Sequence, residues 1–226
     1  MQDALQACLL IVRFPPMLRR SFLPPIPEFE VAATLLSRAA DAYMSGNNSL
    51  CEKFLVDADL RPLREFAYLV AGPINPEIHR QSKNPSYIPP PRGELSRMPN
   101  AVETRHIYLR DGYRCRFCEA HVIVKEARKV FEKAFPLAAR KGKSNEDNHF
   151  GLSTLTASID HVVPFRRGGT NDPLNLVTAC GPCQYGRNRW TLDEVQIEDP
   201  RNFPPIVDSW DGLTRLVGFK KSKAAR

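Results

Sequence analysis

Apolar positions recur at helical spacing through the first third of the chain, then lose that period. From Glu28 to Met44, Val31, Leu35, Leu36, Ala39 and Tyr43 mark one helical face. Ser45-Gly46-Asn47-Asn48 then supplies turn residues that close the helix. A second helix is expected over 49–56. A third follows Asp59, tolerates Pro62 in its first turn, and runs to about Val70 with Leu63, Phe66 and Val70 as its stripe. A short helix over 3–13 is expected to stop at Pro15-Pro16, and Pro24, Pro25 and Pro27 mark a connector. Gly72-Pro73 ends the helical region. Residues 73–100 carry prolines at 73, 76, 85, 89, 90, 91 and 99 without periodicity, which reads as an extended linker or a wrapping arm.

The second half is patterned differently. A short helix is expected from Val102 to about Arg110, ended by Asp111-Gly112. Residues 122–140 read as an amphipathic helix carrying Val122, Val130, Phe131 and Phe135, kinked or restarted at Pro136. Residues 141–149 are polar and charged. Short strands are expected around 155–163 and 174–178, and a further helix from Gly181 to about Trp190. No run approaches the roughly 20 apolar residues that a bilayer span requires. Met1 to Phe14 is apolar but has no basic start and carries Asp3, so a signal peptide is not expected and a cytoplasmic location is.

Charge and cysteine content sharpen this. The 226 residues carry a net charge of +7. Residues 1–100 hold 11 basic and 10 acidic side chains, whereas 101–226 hold 21 and 15, so the surplus sits in the second half. Four of the six cysteines form two C-x-x-C pairs, Cys115/Cys118 and Cys180/Cys183, with 61 residues between them. That is metal-ligand spacing rather than a secreted disulfide framework. Four thiolates suit tetrahedral Zn²⁺ in a closed, structural site. Cys8 and Cys51 lie in apolar helical settings and read as core residues.

Between the pairs runs DHVVPFRRGGTNDPLNLVTACGPC, residues 160–183, preceded upstream by LRDGYRCRFC. These segments resemble the HNH (His-Asn-His) nuclease motif in its zinc-stapled form. The resemblance covers roughly residues 101–190, interrupted by an insertion at 119–154. It implies a ββα-metal fold, two strands and a helix gripping one divalent cation, and hydrolysis of DNA phosphodiesters that leaves a 5′-phosphate. It makes Asp160 a ligand of a catalytic Mg²⁺ or Mn²⁺ and His161 the general base. It makes Asn175 the central Asn that braces the loop between the strands. The chemistry is consistent: a histidine near neutral pKa can deprotonate water, and a hard cation can neutralise the phosphate. Adjacent residues of a regular strand face opposite ways, so Asp160 and His161 should sit at a strand end or irregularity.

One departure concerns the second metal ligand. Where the family places Asn or His after the last cysteine, this chain has Gln184, and Asn188 lies one turn further on the same face. The ligand is Gln184, Asn188 or water. Arg166, Arg167, Arg187 and Arg189 cluster around the motif as candidate phosphate contacts. Gly168-Gly169 allows a tight turn, and Trp190 reads as the helix's anchor to the core. His79, His106, His121 and His149 read as surface or packing residues.

The expected fold class is α+β: an N-terminal helical region (1–72), the Pro-rich linker or arm (73–100), a ββα-metal HNH domain with a structural four-cysteine zinc site (101–199) and a basic C-terminal tail (200–226). The expected partner is DNA, with a protein partner docking through residues 1–100 as in restriction or phage-defence assemblies. The rival readings are a catalytically degenerate zinc module that binds nucleic acid without cleaving it, and a subunit of such a complex.

Overall fold

The computed structural model describes residues 19–71, 88–89 and 96–219. The expected helix over 3–13, Cys8, His79, most of the Pro-rich stretch and the basic run Lys220 to Arg226 lie outside the described residues. Among the described residues no helix is long and apolar enough to cross a membrane.

The N-terminal region is helical, as its periodicity predicts. Helix α1 spans Glu28–Met44, α2 Asn48–Asp57 and α3 Arg61–Ala71. The Asn47 side chain caps α2 by accepting from the Leu50 N–H at 3.1 Å. The stripe of α3 is the expected one, with Leu63, Phe66 and Val70 buried. That of α1 is rotated. Its buried face is Phe29, Ala32, Ala33, Leu36, Ala39 and Ala40, while Val31 is 46% exposed. Five of the seven buried positions of α1 are alanines, which let its neighbours approach closely, and α2 packs against it. Phe29 meets Phe66 edge to face at 5.1 Å, joining α1 to α3.

After α4 (Ala101–Arg110), which opens on an Asn100/Glu103 capping box, the chain makes the first cysteine knuckle. The helix expected over 122–140 is confined to α5, Lys125–Ala134. The three residues before it, Val122-Ile123-Val124, are β-branched and run extended. Ile123 donates to the Leu155 carbonyl and accepts from the Ala157 N–H, both at 2.8 Å. Pro136 follows shortly after the helix ends.

A short helix, α6 (Phe150–Leu155), was not anticipated from the sequence. Its N-cap is His149, fully buried, whose Nδ1 accepts from the Leu152 N–H at 3.1 Å and whose Nε2 lies 2.7 Å from the Leu55 carbonyl. These partners fix the neutral tautomer with hydrogen on Nε2. Burial lowers the His149 pKa below the ordinary 6.5. Its stabilising contribution is therefore full above that value and lost as pH falls from it through the lower folded pKa. Protonation also places a hydrogen on Nδ1 opposite the Leu152 N–H, which removes the cap. Thermal melts near pH 7.5 and about pH 5 should show a larger drop for wild type than for His149→Gln. Equal drops would dismiss this role.

Strands β1 (Ser158–His161) and β2 (Leu176–Ala179) pair antiparallel, with Ser158 opposite Ala179 and His161 opposite Leu176. Helix α7 (Gly181–Arg187) follows β2 directly, and a one-turn helix α8 covers Leu192–Val195. The fold is thus mixed, mostly helical, with one small sheet among the described residues.

Two features differ from the expected segmentation. The N-terminal helices pack on the second half: α3 lies against α6 and α7, and a Cβ at Gly186 would meet the Val70 carbonyl at 2.8 Å. Residues 200–219 also fold back rather than trailing away. Leu213 and Leu216 are fully buried, the Trp210 indole donates to the Val122 carbonyl at 2.8 Å, and Arg114 pairs with Asp208 at 2.5 Å.

Candidate active site and metal centre

The four paired cysteines converge. The sulfurs of Cys115, Cys118, Cys180 and Cys183 all lie within 4.8 Å of one another, all four residues are buried, and none is in a disulfide. Tetrahedral zinc at 2.3 Å from each sulfur would set them about 3.8 Å apart, and Cys118 and Cys180 stand at 3.7 Å. Burial opposes ionisation of Cys115, but hydrogen bonds from Cys118, Cys180 and Cys183 overcome it and hold that thiol well below its ordinary range. The donor set therefore fits a thiophilic ion. The centre ties the N-terminus of α7 to the segment after α4. That segment is fastened to β2 as well: Arg116 N–H donates to the Thr178 carbonyl, and buried Asp111 accepts from the Thr178 N–H, both at 2.8 Å. By its sequence Asp111 is only half of the turn Asp111-Gly112.

The expected catalytic residues gather on the other side of β1. Strand β1 ends at His161, and Asp160, His161, Gln184 and Asn188 line one cavity of about 360 Å³ with Arg97, Arg166 and Arg189. His161 Nε2 lies 3.0 Å from the Asn171 Oδ1, and the Asn171 amide nitrogen donates to the Ser96 carbonyl at 2.7 Å. The Asn171 amide is thereby oriented with its oxygen towards the histidine. His161 must then donate from Nε2, which leaves Nδ1 as its basic nitrogen. Burial lowers the His161 pKa below 6.5, outweighing the Asn171 bond and the Asp160 charge. At neutral pH the imidazole is unprotonated.

Asn175 sits within the same loop. It accepts from the Val163 N–H at 2.8 Å and donates to the carbonyls of Val163 and Thr170 at 3.1 and 2.9 Å. The loop is drawn so tightly that a Cβ on Gly169 would lie 1.8 Å from the Val163 carbonyl oxygen, which only glycine allows.

Asp160 is the residue whose setting was least foreseen. It is 6% exposed and forms a two-pronged pair with Arg187, Nε to Oδ2 and Nη2 to Oδ1, each 2.6 Å. Arg187 is 1% exposed, and its remaining donors reach the carbonyls of Val162, His161 and Trp190. Burial pushes the Asp160 pKa up, and the arginine opposes that. Arg187 is thus a buried tie between α7 and β1, not the surface phosphate contact expected from the sequence. Arg167 also turns inward, to Glu194 at 2.6 Å. Arg166 and Arg189 do line the cavity, joined by Arg97 from the arm. Ile88, from the same arm, donates its N–H to the Arg166 carbonyl at 2.9 Å.

Gln184 is half-buried and donates from Nε2 to the Ile159 carbonyl at 3.4 Å, so its oxygen is the group left to ligate. Asn188 is the exposed C-cap of α7, with φ +49°. Asp160 keeps a second lone pair on each oxygen and borders the cavity. With the amide oxygens of Gln184 and Asn188, it gives the cavity three oxygen-donor side chains, the ligand type that hard cations take. Trp190 is buried, as its expected anchoring role requires.

Comparison of the chain with curated proteins gives no significant match, and comparison with solved structures gives none either. Comparison with protein families does. Residues 141–185, which hold β1, the braced loop, β2 and the second cysteine pair, match the HNH endonuclease family, whose members are usually nucleases, and the chain therefore carries an HNH domain.

Proposed function

We propose that this protein is a metal-dependent endonuclease that hydrolyses DNA phosphodiester bonds at the cavity beside β1. The observation that carries the reading is His161: buried, with its pKa lowered by that burial, Nε2 tied to Asn171 and Nδ1 left to take a proton. In this reading a water beside Nδ1 gives up its proton as its oxygen attacks phosphorus. Asn171 holds the ring, Asn175 holds the loop on which Asn171 rides, and Arg97, Arg166 and Arg189 draw the phosphate in. Asp160, with Gln184 or Asn188, would hold Mg²⁺ or Mn²⁺, which supplies charge neutralisation and stabilises the leaving oxygen. Arg187 favours the ionised form of the Asp160 carboxylate against its burial and aims it. The cysteine centre, holding Zn²⁺, is structural in this reading and takes no part in the chemistry.

The test is nicking of supercoiled plasmid with added Mg²⁺ or Mn²⁺. His161→Ala should lower the rate by roughly 10²–10⁴-fold, and Asn171→Ala by less, because the ring is kept but not oriented. Equal rates for wild type and His161→Ala would refute the assignment. A second reading, binding without cleavage, is favoured by Gln184 and by the engagement of Asp160 with Arg187. It expects retained DNA binding and no nicking with any divalent ion.

A further inference from the structure

A second cavity, of about 590 Å³, opens between α3, α6 and α7. Its walls include Arg64 and Tyr68 from α3, Phe150 and Thr154 from α6, and Tyr185 and Asn188 from α7. Tyr185 and Asn188 also line the candidate catalytic cavity, so the two openings adjoin across the last turn of α7. Tyr185 is 72% exposed and stands at the border of both cavities. Arg64 lies over the Tyr68 and Phe150 rings at 5.5 Å each, and Arg140 over Phe150 at 5.7 Å. Two acids border this wall: Glu146 accepts from the Tyr68 hydroxyl at 2.6 Å and lies 3.7 Å from Arg64, and Asp59 accepts from the Phe150 N–H at 2.7 Å and pairs with Arg140.

This combination differs from the catalytic cavity, which is charged and suited to phosphate. The second cavity offers the exposed Tyr185 ring for stacking, beside the arginine-covered rings of Tyr68 and Phe150, with amide and hydroxyl groups at its edge. A planar heterocycle fits that chemistry, and a nucleotide supplies one next to a phosphate. In a paired duplex both faces of each base are covered by neighbours. Only an unstacked base can present a face to Tyr185.

We infer that the groove between α3, α6 and α7 is a base-binding subsite, and that the protein takes a single-stranded DNA segment, stacking one unpaired base on Tyr185 while the adjoining phosphate lies in the cavity at His161. The inference rests on the nucleic-acid reading above. It also gives α3 a task, as one wall of the subsite.

The experiment measures binding rather than cleavage, so that the two readings fail separately. Full-length His161→Ala protein is titrated into a fluorescently labelled single-stranded oligonucleotide and into the matching duplex, without added divalent ion, and anisotropy is followed. Adding Tyr185→Ala should weaken single-strand binding by roughly 5- to 140-fold, the equivalent of losing one stacked base. Duplex binding should change less than about twofold, within the scatter of a surface substitution. Tyr185→Phe keeps the ring and should restore the single-strand affinity. The inference is overturned if Tyr185→Ala weakens both ligands alike, if Tyr185→Phe is as poor as Tyr185→Ala, or if the single strand does not bind. Tyr185-dependent binding, with no cleavage of the single strand or of plasmid by the wild type in Mg²⁺ or Mn²⁺, would support the subsite and overturn the nuclease assignment alone.

Discussion

Removing the metal from the cysteine centre should unfold the second half of the protein. Structural zinc contributes about 10–16 kcal/mol of apparent binding free energy in small zinc domains, as much as or more than the 5–15 kcal/mol by which whole domains are typically stable. Here the centre holds both the knuckle after α4 and the N-terminus of α7. Without it, four buried thiols lose their common ligand, and α7 loses the anchor that sets its start. We expect one zinc per chain by elemental analysis. A strong chelator should release it together with the cooperative loss of ellipticity. Cys183→Ser should be recovered unfolded or with a sharply lowered melting temperature. A folded, cooperative protein with no zinc would show that the cysteines form an ordinary core cluster.

The second large effect concerns Arg187. Breaking a buried pair by removing one partner costs about 3–5 kcal/mol, because the other charge stays buried without compensation. Arg187→Ala should therefore reduce the denaturation midpoint severely, and Arg187→Lys should recover only part, since an ammonium cannot reproduce the two-pronged bond to Asp160. The double variant Asp160→Asn with Arg187→Met, which removes both charges, should be more stable than Arg187→Ala alone. If Arg187→Ala melts like wild type, the pair contributes nothing and Asp160 is available to a cation unaided. An Asp160 substitution thus disturbs folding as well as any metal site. Loss of nicking in such a variant does not by itself identify a metal ligand; titrating the rate against Mg²⁺ in folded variants does.

The parts of this structure that were legible in the sequence are those set by neighbours along the chain. Helix α1 has the bounds its apolar period and following turn implied, and Leu63, Phe66 and Val70 form the stripe of α3. The cysteine pairs announced a metal centre by spacing alone. What was not legible depends on partners far away in sequence. His149 starts α6 because Leu55 lies beside it. Asn171 is placed by Ser96, and nothing in its own surroundings separates it from a turn residue. Arg187 is five donors away from being a surface residue, yet its local sequence is that of a basic helix end. Val122-Ile123-Val124 shows the opposite failure: helical spacing suggested one element, and the β-branched side chains, paired with Leu155 and Ala157, formed another.

The near-contact at Gly186 limits how this protein can be cut into pieces. Where α3 and α7 touch, the Val70 carbonyl, the Val70 side chain and the Phe22 ring all press on the place where Gly186 has no Cβ. A chain cut at residue 100 would remove Val70 and Phe22 from that contact and strip the cover from the inner face of α7. The smallest piece that keeps the HNH segment intact is therefore set by shape rather than by motif. It begins before α1, some hundred residues upstream of the match, and the helices that look like an appendage serve as the seat on which α7 rests.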